Sequence, residues 1–321
     1  MMKRLQLILV GIAFLFLIGL YADSTMYLVV YDLDKTEWKV RYTNDEPDLN
    51  KDVCRTTELW LRQIPAGTFK MGSPKDEVGR FDDEKQHEVT ITKRFYIGVF
   101  ECTQRQWELV MGNKPSYFNN TAYYATRPVE QVCFNTIRGT GAETGGGWPA
   151  FGHTVDGTSF MGKLKMKTGL IFDLPTEAQW EYACRAGTTS ALNSGKNLVS
   201  IGEDDSMSEV GRYWSNGGSN HSQDCTTANG TAKVGSYKPN AWGLYDMHGN
   251  VWEWCLDWID SDNPYDTLAV TDPVGDSRGT TRAFRGGYWD NGSRGCRSAV
   301  RNCGEPWYTS NSTGFRVVCL P

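Results

Sequence analysis

Few stretches of this chain have the apolar spacing of a long helix. Beyond residue 190, short apolar runs alternate with glycine, asparagine, aspartate and serine, which favours strands and loops. Near the start, Met26–Tyr31 and Glu37–Tyr42 are rich in β-branched and aromatic residues and flank the turn-like segment Asp32–Thr36. This order predicts a β-hairpin. The polar, acidic segment Asn44–Asp52 that follows is typical of a linker.

Two helices are predicted from one capping pattern. In each, a threonine directly precedes the helix, and a glutamine lies three residues after that threonine, within the first turn. The threonine hydroxyl and the glutamine amide then satisfy two free backbone N–H groups. A glycine at the far end can take the left-handed conformation that ends a helix. The predicted helices are Gln104–Met111, with Thr103, Gln106 and Gly112, and Glu177–Arg185, with Thr176, Gln179 and Gly187.

The first 22 residues resemble an export signal. Lys3 and Arg4 precede the uncharged apolar run Leu5–Leu20, and Ala22 is a suitable cleavage residue. We therefore predict an exported protein at the cell surface or in the periplasm. An uncleaved membrane anchor is the alternative, because the run is close to the length that spans a bilayer.

Past the signal, we predict a hairpin and linker over residues 23–58 and one domain over residues 59–321. Gly139–Gly157 is rich in glycine and is interpreted as a surface insertion. The 12 Trp, 15 Tyr and 34 Gly suit a loop-rich fold anchored by aromatic rings. The net charge of −5 argues against a nucleic-acid partner, which requires a basic surface.

Cysteine and histidine give little sign of catalysis or of zinc. Export permits disulfides, but the nine Cys are an odd number, so at least one thiol is left free or pairs with another chain. There is no CxxC pair, and the four His lack metal-ligand spacing. We predict no catalytic residues and no required cofactor.

Seven short strings occur in the order that is found in one protein family. They are IPAGTFKMGS (64–73), VMGNKPSYF (110–118), RPVEQV (127–132), LPTEAQWEYACRAG (174–187), GLYDMHGNVWEW (243–254), RGG (285–287) and GFR (314–316). On these strings, the chain resembles the formylglycine-generating-enzyme (sulfatase-modifying factor) family over about residues 60–321. The resemblance implies an α+β domain with a C-type-lectin-like fold and little regular secondary structure.

The resemblance also shows where a catalytic site would lie. Oxidases of this family carry two thiols, with four residues between them, shortly after the Gly-Gly string, and use them to bind copper. The matching stretch here has Cys296 alone, and Cys303 follows with six residues between. Because a soft copper ion requires paired thiolates, we predict that the oxidase site is absent. An oxidase-like enzyme that uses other residues stays the alternative.

Family members often bind calcium through oxygen atoms of the Asp-x-x-Gly-x-x-x-Glu region. The resemblance places that site at Asp246, Gly249, Val251 and Glu253. Two carboxylates and two carbonyls suit a hard cation. We predict a structural calcium ion there, with a hydrogen-bonded carboxylate pair as the alternative.

Residues 286–318 resemble the variable region of diversity-generating retroelement proteins, including those of treponemes. In such a system, template adenines are randomised during copying, so an AAC codon yields Tyr, Asp, Gly, Ser, Val or Cys. Those residue types recur here between the fixed strings. We predict ligand contacts from thirteen residues: Tyr288, Asp290, Asn291, Gly292, Arg294, Gly295, Val300, Asn302, Gly304, Trp307, Tyr308, Ser310 and Asn311.

Within this region, Tyr288, Trp307 and Tyr308 are predicted as aromatic anchors, which supply contact area at low entropic cost. The framework that holds the backbone while its neighbours vary is predicted to include Trp289, Arg297 and Arg301. The predicted partner is a protein or other surface ligand on a host or neighbouring cell. A periplasmic accessory protein is a third hypothesis, and it requires a buried 288–308 stretch. An adenine-bearing repeat beside a reverse-transcriptase gene would favour the diversified receptor.

Overall fold

The computed structural model describes residues 26–119, 122–139, 155–217, 230–259, 268–276 and 279–320. The predicted signal segment and most of the predicted insertion Gly139–Gly157 lie outside these ranges. Within them, no helix has the length and apolarity needed to cross a membrane. Every cysteine in the described ranges is a free thiol.

Short strands form three separate sheets. The first has the order β2-β1-β3-β6-β13-β7, the second β11-β10-β8-β12 and the third β4-β5-β9. The strands are β1 Tyr27–Tyr31, β2 Lys39–Thr43, β3 Leu59–Ile64, β4 Gly67–Met71, β5 His87–Ile91, β6 Phe95–Gly98, β7 Phe172–Asp173, β8 Trp252–Ile259, β9 Val270–Thr271, β10 Thr281–Arg285, β11 Arg301–Gly304, β12 Thr313–Gly314 and β13 Val318–Cys319.

The described helices are also short, and they pack between and around the sheets. They are α1 Val53–Thr56, α2 Gln104–Met111, α3 Phe134–Arg138, α4 Phe160–Thr168, α5 Glu177–Arg185, α6 Asp205–Val210 and α7 Trp214–Gly217, with 3-10 turns at Tyr124–Thr126 and Ser293–Cys296. This is the α+β arrangement with little regular structure that the sequence predicts.

Both predicted helices are confirmed, together with their capping boxes. Helix α2 ends as expected, because Gly112 takes a left-handed conformation with φ 82° and its N–H binds the carbonyl of Glu108. Helix α5 spans the predicted residues, but its capping residue is Ala186 and not the predicted Gly187. There Ala186 itself takes the left-handed conformation, with φ 45°, ahead of Gly187.

The predicted hairpin is also confirmed, and it is built into the main sheet. Strand β1 pairs with β2 on one side and with β3 on the other, where Leu28 lies opposite Leu61. Leu28 and Leu61 are fully buried. The hairpin therefore contributes to the same core as the residues that follow it.

The four-stranded sheet positions the C-terminal region. Its central strand β8 pairs with β10 antiparallel and with β12 parallel, and β10 carries β11 on its other edge. The sequence predicts that Trp252 and Trp254 point to one side of an extended segment. Both rings contact Phe284 of β10, at centroid distances of 6.4 and 4.4 Å. This sheet therefore brings residues from 252 to 313 to one face.

Candidate ligand-binding cleft

A row of aromatic rings runs across this face of the molecule. The ring of Tyr308 stacks on Phe284 at 6.1 Å, and Phe284 contacts Trp252, whose ring lies 6.5 Å from that of Tyr288. Tyr288 in turn meets the buried Trp289 edge-on at 6.1 Å. The row gives the face a stiff apolar floor, since stacked and edge-on aromatic pairs stabilise one another.

Above this floor lies an open cleft of about 520 Å³, here called the C-terminal cleft. Its walls come from β10, β11, the loop 305–312 and the segment after the Gly-Gly string. Seven of the predicted ligand-binding residues line it: Tyr288, Asp290, Asn302, Gly304, Tyr308, Ser310 and Asn311.

The predicted aromatic anchors differ in exposure. Trp307 is 68% exposed and Tyr308 is 41% exposed, while Tyr288 is partly buried. A buried 288–308 stretch, which the hypothesis of an accessory protein requires, is therefore not what the structure shows. An exposed face is present, as a receptor needs.

The loop 305–312 is held by its own main chain. The carbonyls of Pro306, Ser310 and Ser312 accept hydrogen bonds from the backbone N–H groups of residues 135, 131 and 252, at 3.0, 2.9 and 2.8 Å. Trp289 Nε1 donates to the carbonyl of Asn311 at 3.3 Å. Because these bonds use backbone acceptors, exchanging the loop's side chains leaves them in place.

Buried arginines form the predicted framework beneath the cleft. Arg297 is fully buried and pairs with Glu77 at 2.6 Å and with Glu84 at 2.5 Å. Arg301 turns away from the cleft and pairs with Glu177 at 2.6 Å. Each arginine thus fixes one end of the 297–301 segment to a distant part of the chain.

The Gly-Gly string brings two backbone segments together. Gly286 and Gly287 both have positive φ, at 98° and 81°. A Cβ on Gly287 would lie 2.4 Å from the carbonyl oxygen of Gly295, so this position requires glycine. The close approach sets the turn Ser293–Cys296 against the strand that enters the cleft.

Six of the thirteen predicted contact residues lie elsewhere than in the cleft lining, and one of them is the exposed Trp307. Val300 is 3% exposed and packs in the main core, so its prediction as a contact residue is wrong. Asn291, Gly292, Arg294 and Gly295 belong to the turn around Ser293–Cys296 or flank it.

That turn packs against neighbouring loops. Arg294 Nε donates to the carbonyl of Gly79 at 2.9 Å, and the guanidinium lies 3.9 Å from the centroid of the Phe81 ring. Asn291 Oδ1 accepts from the N–H of Tyr288 at 3.2 Å. These residues support the cleft from behind, and the guanidinium of Arg294 is used in this packing and does not face the cleft.

Several lining residues were absent from the predicted set. Trp252 and Phe284 form the floor, and Cys303, Glu305 and Ser312 belong to the walls. The pairing of β8 with β10 and β12 brings the floor residues there, which spacing along the chain does not reveal. Gly304 also shapes the floor, because a Cβ there would lie 2.5 Å from the tip of the Phe284 ring.

The thiols in this region do not form the pair that copper requires. Cys296 is fully buried, in a cluster with Ala191 and Leu192. Burial raises the pKa of its thiol, which disfavours the thiolate. Cys303 is partly exposed and lines the cleft, and it is the one cysteine among the described lining residues.

The predicted calcium ligands fit a cation poorly. Both carboxylate oxygens of Glu253 accept hydrogen bonds from Arg316, each at 2.6 Å, and one also accepts from Trp180 Nε1. Asp246 accepts from the N–H of Gly235 at 2.6 Å, and burial raises its pKa. The carboxylate that the calcium site most needs is therefore committed to a buried guanidinium. Elsewhere in the described ranges, no cluster of three or more His, Cys, Asp or Glu is arranged to hold a metal.

His248 has a structural position beside the turn. Its Nε2 accepts from the N–H of Asn193 at 3.0 Å, so the ring proton is on Nδ1, which faces the carbonyl of Cys296 at 2.6 Å. Burial lowers the pKa of His248 to about 4. The imidazole is therefore neutral and links two loops.

We expect this imidazole to make the fold less stable in mild acid. Its folded-state pKa of about 4 lies below the ordinary value of 6.5, so the unfolded chain takes up the proton first. The contribution of His248 should be complete above pH 6.5 and fall by about 1.4 kcal/mol per pH unit between pH 6.5 and 4. The free energy of unfolding, measured with urea at several pH values across this range, should change less steeply with pH for His248→Gln than for the wild type. The same pH dependence in both proteins would contradict the assignment.

Comparison with known proteins supports the fold and the family. Residues 48–320 match the model of the sulfatase-modifying factor enzyme 1-like domain. The formylglycine-generating enzyme of Thermomonospora curvata is 28% identical over 310 residues, which cover 86% of this chain and 99% of that one. The serine/threonine-protein kinase pkn1 of Chlamydia pneumoniae is 29% identical over 282 residues, but the match spans only 40% of its length.

Two solved structures share the fold along most of both chains. Treponema denticola variable protein 1 has a TM-score of 0.63 and 27% identity, covering 83% of this chain and 96% of its own. PvdO from Pseudomonas aeruginosa has a TM-score of 0.60 and 27% identity, covering 82% and 94%. The predicted C-type-lectin-like fold and the likeness to the treponemal variable protein TvpA are thus confirmed. The chain belongs to the sulfatase-modifying factor enzyme 1-like, or formylglycine-generating-enzyme, family.

Proposed function

We propose that this chain is a non-catalytic, exported binding protein that recognises a protein on a host or neighbouring cell through the C-terminal cleft. The side chains that line this cleft are diversified by a retroelement, and the framework beneath them is constant. One observation carries the proposal. The side chains that line the cleft are largely exposed, whereas buried groups hold the backbone that carries them in place.

This division meets the physical requirement of a diversified receptor. Tyr308, Ser310 and Asn302 face the cleft, while the loop and strand that carry them are fixed by main-chain hydrogen bonds. Surface substitutions away from buried features usually change stability by no more than about 0.5 kcal/mol. Many sequences can therefore share one fold and present different surfaces. The likeness to the treponemal variable protein supports the same role.

The absence of catalysis rests on the thiols. An oxidase of this family needs two thiolates at one metal, and the described cleft lining includes Cys303 alone. Cys296, at the family's thiol position, is buried with a raised pKa. Copper-dependent turnover of a cysteine peptide, lost on Cys303→Ser or Cys296→Ser, would establish the oxidase alternative instead.

A displayed library tests the proposed binding site. Asp290, Asn302, Tyr308, Ser310 and Asn311 are randomised together in the full chain, and the variants are displayed on yeast. We expect most variants to fold, with melting temperatures within a few degrees of the parent, because these side chains are exposed or half-buried and main-chain hydrogen bonds hold the loop. Selection against a panel of folded proteins should then enrich specific binders.

A second library of equal size gives the matched control. It randomises five buried positions of the framework: Arg285, Trp289, Ser293, Arg297 and Ser298. Folded variants should be rare in this library, because most replacements leave buried groups unpaired. If the two libraries lose folded variants to the same extent, or the cleft library gives no binders, the proposal fails.

A further inference from the structure

A second cavity lies beside the end of β8 and is distinct from the C-terminal cleft. Its volume is about 620 Å³, and residues of β4, β5, β8 and β9, the start of α5 and the segment 272–276 line it. Arg301 belongs to this lining, whereas the next residue along β11, Asn302, lines the C-terminal cleft. The described lining residues of the two cavities have no member in common.

The segment 270–276 is held in place along one side of the second cavity. The N–H of Asp272 donates to the carbonyl of Thr90 at 2.9 Å. Gly275 has φ 73°, and a Cβ there would lie 2.6 Å from the Cβ of Asp257, so the segment packs directly on that residue. The cavity is therefore bounded by a fixed backbone.

Carboxylates outnumber cations in this lining. Arg301 is the one lysine or arginine among the described lining residues, and it pairs with Glu177 at 2.6 Å. The other lining carboxylates belong to Asp257, Asp272 and Asp276, and none of them forms an ion pair with a lysine or arginine of the described ranges. The second cavity therefore has an excess of negative charge.

Asp257 is the most buried of these three aspartates, with 3% of its surface exposed. Its Oδ2 accepts from the N–H of Glu177 at 2.8 Å, and its Oδ1 receives no hydrogen bond from another described residue. Burial and the nearby carboxylate of Glu177 raise the pKa of Asp257 to about 7. A buried carboxylate is costly without a cationic partner, so a cation in the cavity would stabilise it.

The remaining walls indicate what kind of cation fits. Much of the lining is apolar, through Met71, Ala178, Ile259, Val270, Pro273 and Val274. Within the described ranges, no three His, Cys, Asp or Glu side chains are arranged to hold a metal ion. An organic cation with an apolar body matches both observations.

We infer that the second cavity binds a small organic molecule that carries a primary ammonium group on an apolar body. The ammonium group has N–H donors for Asp257 and for Asp276, whose backbone bridges to Trp258 beside it. Hydrogen bonds between an ammonium and a carboxylate are stronger than neutral ones. The volume is in the range of small-molecule sites. The inference goes beyond the proposed function and does not depend on it.

A matched pair of probes tests the inference. 2-Phenylethylamine carries the ammonium group at pH 7, and 2-phenylethanol has nearly the same shape without the charge. Both are titrated into the ¹⁵N-labelled full chain at physiological salt, while the indole N–H signal of Trp258 and the amide signals of Val274 and Gly275 are followed. We expect the amine to bind at least about tenfold more tightly than the alcohol, since only the amine can pair with the carboxylates.

Single variants locate the effect. Asp257→Asn should remove most of the preference for the amine. Asp204→Asn is the matched control, because Asp204 is also 3% exposed and accepts backbone N–H groups but lies outside the lining, so this variant should keep the preference. Asp276→Asn changes a less buried position and should reduce the preference even if Asp257→Asn fails to fold. Circular dichroism and thermal melts show which variants fold.

Three results would each overturn the amine site. They are equal binding of the two probes, no binding of either probe up to 50 mM, and a preference that Asp276→Asn and Asp204→Asn leave equally unchanged. Signal shifts confined to residues of the C-terminal cleft would also overturn it, because the amine would then occupy the other site. The library experiment is independent of all these results, since it alters side chains of the C-terminal cleft alone.

Discussion

Replacing Arg297 by methionine should lower the free energy of unfolding by about 3–5 kcal/mol, because it leaves buried carboxylates without their cation. The side chains of Arg297 and Glu84 are fully buried, and that of Glu77 is 2% exposed. Methionine keeps much of the volume, so the loss of charge is the main change. Urea unfolding at pH 7, monitored by tryptophan fluorescence, measures the effect.

The same variant should partly recover as the pH is lowered towards 5. Burial raises the pKa of Glu77, and without Arg297 no adjacent cation opposes this rise, so protonation of Glu77 favours the folded state. Lys70→Met is the control, since Lys70 forms an exposed pair with Glu88 and its loss should cost at most about 1 kcal/mol. Similar losses for the two variants would show that Arg297 does not hold the framework.

Gly249→Ala should lower the free energy of unfolding by about 2–5 kcal/mol, through strain and a steric clash together. Gly249 has φ 79°, and a Cβ there would lie 1.9 Å from the carbonyl oxygen of Arg212. Since this atom belongs to the backbone, a whole segment would have to move. The N–H of Gly249 binds the carbonyl of Gly286, so the shift would reach the Gly-Gly string under the cleft.

Gly112→Ala separates the two causes. Gly112 has nearly the same φ, at 82°, but a Cβ there would meet no atom within 4 Å. This variant should lose only the strain, about 1–2 kcal/mol. Thermal or urea unfolding of both variants gives the comparison. If Gly249→Ala lowers the free energy of unfolding no more than Gly112→Ala does, the close approach to Arg212 does not contribute to the loss of stability.

Local chemistry made part of this fold predictable. The capping boxes at Thr103 and Thr176 place the starts of two helices, because their hydrogen bonds involve residues only three positions apart. The hairpin is predictable for the same reason, since strand and turn are neighbours in the chain. The family strings locate the framework, where Trp289, Arg297 and Arg301 are buried or paired as predicted.

The set of residues that line the cleft was only partly predictable. The sequence pattern indicates which positions vary, but it does not indicate which way their side chains point. Val300 fits the diversified residue types, yet an apolar side chain beside a strand usually faces the core, as this one does. The turn Ser293–Cys296 has residue types like those of the loop 305–312, but contacts with residues 79 and 201 cover it. Trp252 lies 36 residues before Tyr288, and only the strand pairing shows that the two meet.

The contact between Gly304 and Phe284 gives one position an effect of a different kind from that of its neighbours. Any larger residue at 304 must push the tip of the Phe284 ring, and this ring lies under Tyr308. Exchanges at Asn302 or Ser310 would change what the walls offer a ligand, whereas an exchange at 304 would change how deep the ligand can sit. A set of variants built on this scaffold would thus include proteins with shallow clefts and proteins with deep clefts. The codon for residue 304 alone would decide between them.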